Sequence, residues 1–290
     1  MVSSPALALD HLVINTHFEI DAGRLLFEQL GFQLTPRGHH SLGSVNHLLM
    51  FEDDYLELIG LPKDSPRLRR EILESSLGID GLVFKSDDAA RTQANLRALG
   101  YAVQDIQAFS RAVELDGYSV DARFETVRFV PGQFSAGRLY YCKHFTPELV
   151  WRKEWQTHPN GVTQIAALLI VDDEPLQAAK QYCAVMGGSL KMGAQGEYRV
   201  YGSRYVLVFT THLQYVHCYG ALACAKAERQ SFFGAIALKT ASLEPLRKTL
   251  GALKKKSVKS TIHWREWSDR ITVHIPSLNA LLDFVETDIF

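Results

Sequence analysis

LDHLVINT (9–16) and IDGLVFKS (79–86) are the two stretches whose reading decides the fold. Each alternates β-branched and aliphatic residues as a strand does, and the same succession of signals follows each. After the first, Asp21 is expected to cap an amphipathic helix in which Leu25, Leu26 and Leu30 recur at helical spacing, and Gly31 ends it. Short strand-like runs follow and close on YLELIG (55–60). After the second, DAARTQANLRAL supplies the helix, Gly100-Tyr101 mirrors Gly31-Phe32, and ARFETVRF (122–129) and RLYYCKHF (138–145) supply later strands. Two looser copies complete the chain. TQIAALLIVDD (163–173) leads to a helix ending near Gly187 and then to RYVLVFTT (204–211). FFGAIALKTA (232–241) leads to a helix ending at Gly251 and then to RITVHIP (270–276). Each unit reads strand, helix, then about three strands.

One such unit cannot bury both its sheet face and its helix. Two packed edge to edge form a curved sheet with helices outside and a cleft inside. The expected fold class is therefore α+β, with four βαβββ modules in two paired-module halves built on curved mixed sheets. HPNGV (158–162), a turn pair behind a proline, marks the midpoint, giving an N-terminal half over 1–158 and a C-terminal half over 159–290. An ordinary α+β domain with accidental repetition is the alternative.

The totals narrow the function classes. Lys and Arg number 31 against 32 Asp and Glu, so no field draws the chain to nucleic acid or to an anionic membrane. Lys254 to Lys256 with Lys259 read as solvated surface. The four cysteines are scattered without a CxxC pair, which fits reduced thiols. The first residues, MVSSPALALDH, lack the pattern of a signal peptide, and no apolar run approaches the ~18 residues of a membrane helix. The expectation is a cytoplasmic protein whose partner is a small-molecule substrate.

Asp10-His11-Leu12-Val13, Leu30-Gly31-Phe32 and the closing YLELIG resemble the vicinal-oxygen-chelate superfamily of glyoxalases, bleomycin-resistance proteins and extradiol dioxygenases. More narrowly, GHHSLGSVNHLLMFEDDYLELIG (38–60) and CKHFTPELVWRKEWQTHPNG (142–161) resemble the bacterial glyoxalase-like domain family. The close resemblance covers about the first 160 residues. It implies that His11, early in the first strand, is a metal ligand; the residues alone favour a hydrogen-bonded core histidine. It implies the same for Glu57, which faces away from Leu56 and Leu58, and a carboxylate turned into a sheet interior is costly unless paired or metal-bound.

The second module departs from the superfamily pattern. Gly81 falls where a second strand-one ligand belongs, and RLYYCKHF has no glutamate, although His144 shares a face with Cys142 and Tyr140. The expected site is one divalent ion, Fe, Zn, Mn or Ni, held by His11, Glu57 and His144 with positions left open. Glu148 is a fourth ligand, a general base, or the surface partner of Arg152. His40 and Asn46 lie in a glycine-containing loop and are substrate contacts or plain turn residues. Arg111 is expected to line the cleft and bind an anionic or carbonyl group of the substrate; a pair with an acidic neighbour is the alternative. His17, His47 and His158 read as structural or solvent-facing. In the C-terminal half Leu207 aligns with Glu57, and neither Ile165 nor Gly234 offers a ligand, so that half is read as structural, a cleft wall or a homodimer contact. These features imply a metal-dependent lyase, isomerase or dioxygenase acting on a small oxygenated substrate. The rival is a metal-free binding protein of the bleomycin-resistance type.

Overall fold

A computed structural model describes residues 6–64, 69–115, 117–255 and 261–287. The first five residues, Lys256 and Lys259 lie outside the described residues. The first module comprises β1 (Leu9–Asn15), α1 (Ile20–Gln29), β2 (Gly38–His39), β3 (Val45–Met50) and β4 (Tyr55–Gly60). A short helix, α2 (Arg70–Glu74), leads to β5 (Gly78–Lys85), α3 (Ala89–Ala98), β6 (Gln107–Leu115), β7 (Tyr118–Arg128) and β8 (Arg138–His144). The third module is β9 (Val162–Asp172), α4 (Pro175–Met186), β10 (Ser189–Met192), β11 (Tyr198–Tyr201) and β12 (Val206–Thr210). Helix α5 (His212–Tyr219) then leads to β13 (Ser231–Thr240), α6 (Glu244–Lys255), β14 (His263–Glu266), β15 (Arg270–Ile275) and β16 (Ala280–Val285).

The strands form two 8-stranded mixed sheets of identical plan, β2-β3-β4-β1-β5-β8-β7-β6 and β10-β11-β12-β9-β13-β16-β15-β14. In each, the two first strands of a module pair meet antiparallel at the centre, and each closing strand runs parallel to the strand that opens its own module. Register shifts interrupt β1 against β5 next to Leu9 and Val13, and such bulges add twist. The N-terminal sheet curls until its edges touch. His40 bridges Arg111, and Ser41 N–H donates to Ser110 O at 2.9 Å.

Alternation along the strands sorts the apolar residues by face. Leu12, Leu56, Leu82 and Leu139 turn outward with Phe27 and Leu96 of the helices, and they join Leu168, Leu207, Ile236, Leu282 and Leu246 in one core shared by both halves. The opposite faces carry separate clusters, around Val13, Val83 and Tyr140 in the first sheet and Leu169, Val208 and Leu281 in the second. No helix among the described residues is long and apolar enough to cross a membrane.

Two helix boundaries differ from the sequence reading. Asp21 lies inside the first turn of α1 rather than capping it; Glu19 is the cap residue and makes no side-chain cap bond. A carboxylate in that turn still favours the helix dipole. Gly31, Gly100 and Gly187 have positive φ and end their helices as read, but Gly251 lies within α6. The stripe Leu243, Leu246, Leu250, Leu253 packs on the core across it and carries the helix onward.

Candidate active site

The site is built on β1, β4 and β8, where strand alternation turns polar side chains into the curl of the first sheet. The bulge after Leu9 lets the neighbouring residues Asp10 and His11 touch, with Asp10 Oδ1 2.5 Å from His11 Nδ1. Asp10 is fully buried, and His144 Nε2 lies 3.1 Å from its Oδ2. Burial would raise this carboxyl, but the charge of His144 and the hydrogen bonds of both imidazoles hold it far below the usual range. A carboxylate on Nδ1 fixes the proton there and leaves His11 Nε2 a free lone pair. The ring is clamped by Tyr55, stacked at 4.3 Å, and Tyr140 Oη lies 3.5 Å from Nε2.

Glu57 reaches the same point from β4. Its Oε2 is 3.6 Å from His11 Nε2, and its Oε1 accepts a 2.6 Å bond from Asn46 Nδ2. Burial pushes Glu57 up, yet His11, His40, Asn46 and Arg111 together bring it below its ordinary value, so it is ionised. Asn46 Nδ2 also donates to His40 Nε2 at 3.2 Å, and His40 Nδ1 is 2.8 Å from Ser44 Oγ. Burial pushes His40 down to about 3 against the pull of Glu57, with Arg111 and Arg69 adding to the fall, so its ring is neutral. A Cβ on Gly38 would overlap Asn46 Oδ1 and the Arg111 side chain, which explains the glycine opening GHH.

Arg111 is 4% exposed, forms no ion pair among the described residues, and has a buried Nη2 without a hydrogen-bond partner. His11, His40, Asn46, Tyr55, Glu57, Arg111 and Tyr140 enclose a chamber of about 40 Å³. His11 Nε2 and Glu57 Oε2 suit one divalent ion. Bonds of about 2.0–2.2 Å to nitrogen and oxygen place two ligand atoms roughly 3 to 3.6 Å apart.

Residues 9–186 match the family described as glyoxalase-like domain. The chain belongs to this family. The match runs from β1 through α4, further than the first 160 residues that carry the resemblance in sequence. No curated protein matches the sequence. Among solved structures, this glyoxalase-like protein is similar to a hypothetical protein from Staphylococcus aureus, with TM-score 0.67 and 11% identity over 96% of this chain and 98% of that one. It is similar to a xylose isomerase-like TIM barrel/4-hydroxyphenylpyruvate dioxygenase fusion protein, with TM-score 0.57 and 13% identity over 98% of this chain and 49% of that one. A mutant of 4-hydroxymandelate synthase from Streptomyces coelicolor matches with TM-score 0.50 and 12% identity over 97% and 93%. These likenesses show the fold alone.

The structure brings together His11, Glu57, His40, Asn46 and Arg111 but leaves His144 and Glu148 outside the chamber. The reason is register. Glu57 pairs with Val13, and Tyr140 pairs with Val83, so Tyr140 is the module-two counterpart of Glu57. His144 lies four residues further along β8, about 13 Å of strand, and binds Asp10 from behind. It lines an outer crevice with Asp10, Lys85, Cys142 and Glu148. Asp10, Cys142 and His144 there have potential ligand atoms within 4.8 Å of one another, but burial pushes the Cys142 thiol well above its usual value. Glu148 is exposed on the turn Pro147–Leu149, and Arg152 pairs with Glu154 rather than with it.

Three arginines of the glyoxalase-like chamber escaped the sequence reading. Arg69 Nη1 donates to Ser44 Oγ at 2.9 Å, Arg128 Nη1 to both oxygens of Glu71 at 2.7 and 2.8 Å, and Arg138 Nε to Asp80 Oδ2 at 2.6 Å. Arg138 shares its strand face with Tyr140 and Cys142, a signal available in RLYYCKHF. In the second sheet, Val208 stands where Glu57 does in the first, one residue beyond the expected Leu207, which turns to the shared core.

Proposed function

We propose that this chain is a metal-dependent enzyme of the glyoxalase/dioxygenase type acting on a small oxygenated substrate. His11 Nε2 and Glu57 would hold one divalent ion, Fe, Zn, Mn or Ni, with the Tyr140 phenol at the place of a further ligand. The observation that carries this reading is the buried His11–Glu57 pair at 3.6 Å, with Asp10 fixing the imidazole from behind. The ion would supply Lewis acidity to adjacent substrate oxygens. The chain's own groups do the rest. Asn46 orients Glu57, neutral His40 presents its ring beside it, and Arg111 receives an oxygen of the substrate. The Tyr140 phenol, raised by burial and by Glu57, keeps its proton and donates it within the chamber. Glu148, open to the outer crevice, takes no part. The names of two similar structures, a dioxygenase fusion and a hydroxymandelate synthase, support the reaction type.

The rival reading, a metal-free binding protein, draws on Gly81, where a second-module ligand would stand. Metal content of protein purified without chelators separates the two. The parent should take up about one ion per chain from a panel of Fe, Mn, Ni and Zn. His11→Ala and Glu57→Gln should lose it, and His39→Gln, an exposed control, should keep it. A folded parent that takes up none leaves the binding-protein reading.

A further inference from the structure

At the ~10–15 Å³ that one water needs, the chamber of about 40 Å³ holds about three. It admits the head of a substrate and not its body. A cavity of about 410 Å³ adjoins it and shares Arg128, Arg138 and Tyr140 as walls. The charges of these two spaces are unevenly matched. Five arginines line them, Arg69, Arg111, Arg128, Arg138 and Arg229, against the four carboxylates of Glu57, Glu71, Glu74 and Asp80. Glu71 is shared between Arg69 and Arg128, and Asp80 engages only the Nε of Arg138. Two guanidinium nitrogens are thereby left buried without partners, Arg111 Nη2 and Arg138 Nη2. A buried guanidinium N–H without an acceptor is costly, and the guanidinium fork matches carboxylate and phosphate oxygens.

We infer that the substrate is a small acid with two anionic groups, carboxylate or phosphate, one received by Arg111 in the chamber and the other by Arg138 at the wall of the larger cavity. The C-terminal half takes part. Arg229, between α5 and β13, lines the larger cavity, its Nε and Nη2 held by the carbonyls of Lys226 and Ala225 at 3.1 and 2.7 Å. A purely apolar ligand would leave both free nitrogens unpaired, and a neutral polar one would pair them without supplying the missing negative charge. The inference names the substrate class of the proposed active site and rests on that reading for which end reacts, whereas the binding itself needs no metal.

The test is calorimetry on the full chain, after chelation and again with metal added. The probes are the dicarboxylates from malonate to adipate, inorganic pyrophosphate, and acetate as the single-charge control. At least one dianion should bind ten-fold or more tightly than acetate in the chelated protein. Arg111→Gln and Arg138→Lys should each remove most of that gain; the lysine preserves a cation for Asp80 and so guards the fold, which circular dichroism checks. If no dianion outbinds acetate, or the folded Arg111→Gln protein binds dianions as the parent does, the inference is overturned. Dianion binding in a protein that takes up no metal would sink the enzyme reading alone, and metal uptake without dianion preference would sink this one alone.

Discussion

Asp10 is the residue on which the chamber turns, because one carboxylate serves both His11 Nδ1 and His144 Nε2. Replacing it with asparagine removes the charge that selects the His11 tautomer while keeping the side chain's size. Metal affinity, followed by calorimetric titration, should fall about 10- to 100-fold, the range found when a ligand's supporting hydrogen bond is lost. Unchanged affinity would show that His11 needs no such support. At this scale the inward turn of Glu57 was legible in the sequence, since a polar residue flanked by Leu56 and Leu58 must face opposite to them, whereas His11 was singled out by the family resemblance. Tyr140 was not. Alternation places Tyr140, Cys142 and His144 on one face of β8, but only the pairing of Val83 with Tyr140 says which of them meets Glu57. Arg69, Arg128 and Arg138 were hidden for a similar reason, their carboxylate partners lying two residues away for Arg69 and 57 and 58 residues away for the other two.

Among the elements, the four opening strands and their helices were readable because each repeats a local pattern, and α1, α3 and α4 end on a glycine. The failures came where tertiary packing overrides that pattern, as in α6. Two glycines measure this contrast. Gly251 is an exposed interior residue of α6, and nothing lies within 4 Å of where its Cβ would be. Gly251→Ala should therefore stabilise the protein by about 0.5–1 kcal/mol. Gly100 is equally open but has φ +85, so Gly100→Ala should cost roughly 1 kcal/mol. Denaturant midpoints read both, and a shared sign would contradict the assignment of one helix end. Helices α2 and α5 fill the same place in the two halves and were missed. The five-residue α2 is too short to show periodicity, and the capping box of Thr211 and Gln214 at α5 is a local signal that went unused.

At the scale of the molecule, the two sheets share a core through their outer faces, and a buried acid lies where they join. Asp54, in the turn between β3 and β4, accepts a 3.2 Å bond from the Ile165 N–H of β9. Burial lifts it to about 7, with that bond opposing the rise. A carboxyl raised in the folded state binds more protons there than in the unfolded chain, so the contribution of Asp54 to stability falls as pH climbs from about 4 to about 7 and is level above. Asp54→Asn should be more stable than the parent by roughly 1 to 3 kcal/mol at pH 8 and equal to it near pH 4. Thermal melts of both proteins across that range check the sign; a gap between variant and parent that does not widen on the same rise would refute it.

The central claim is that His11 and Glu57, rather than the neighbouring Asp10, Cys142 and His144, hold the metal ion. X-ray absorption at the metal edge of the zinc-loaded protein distinguishes them directly, because only the second group contains sulfur. The account predicts a first shell of nitrogen and oxygen alone, with the multiple-scattering signature of imidazole. A sulfur scatterer at about 2.3 Å would place the ion on Cys142 and contradict it.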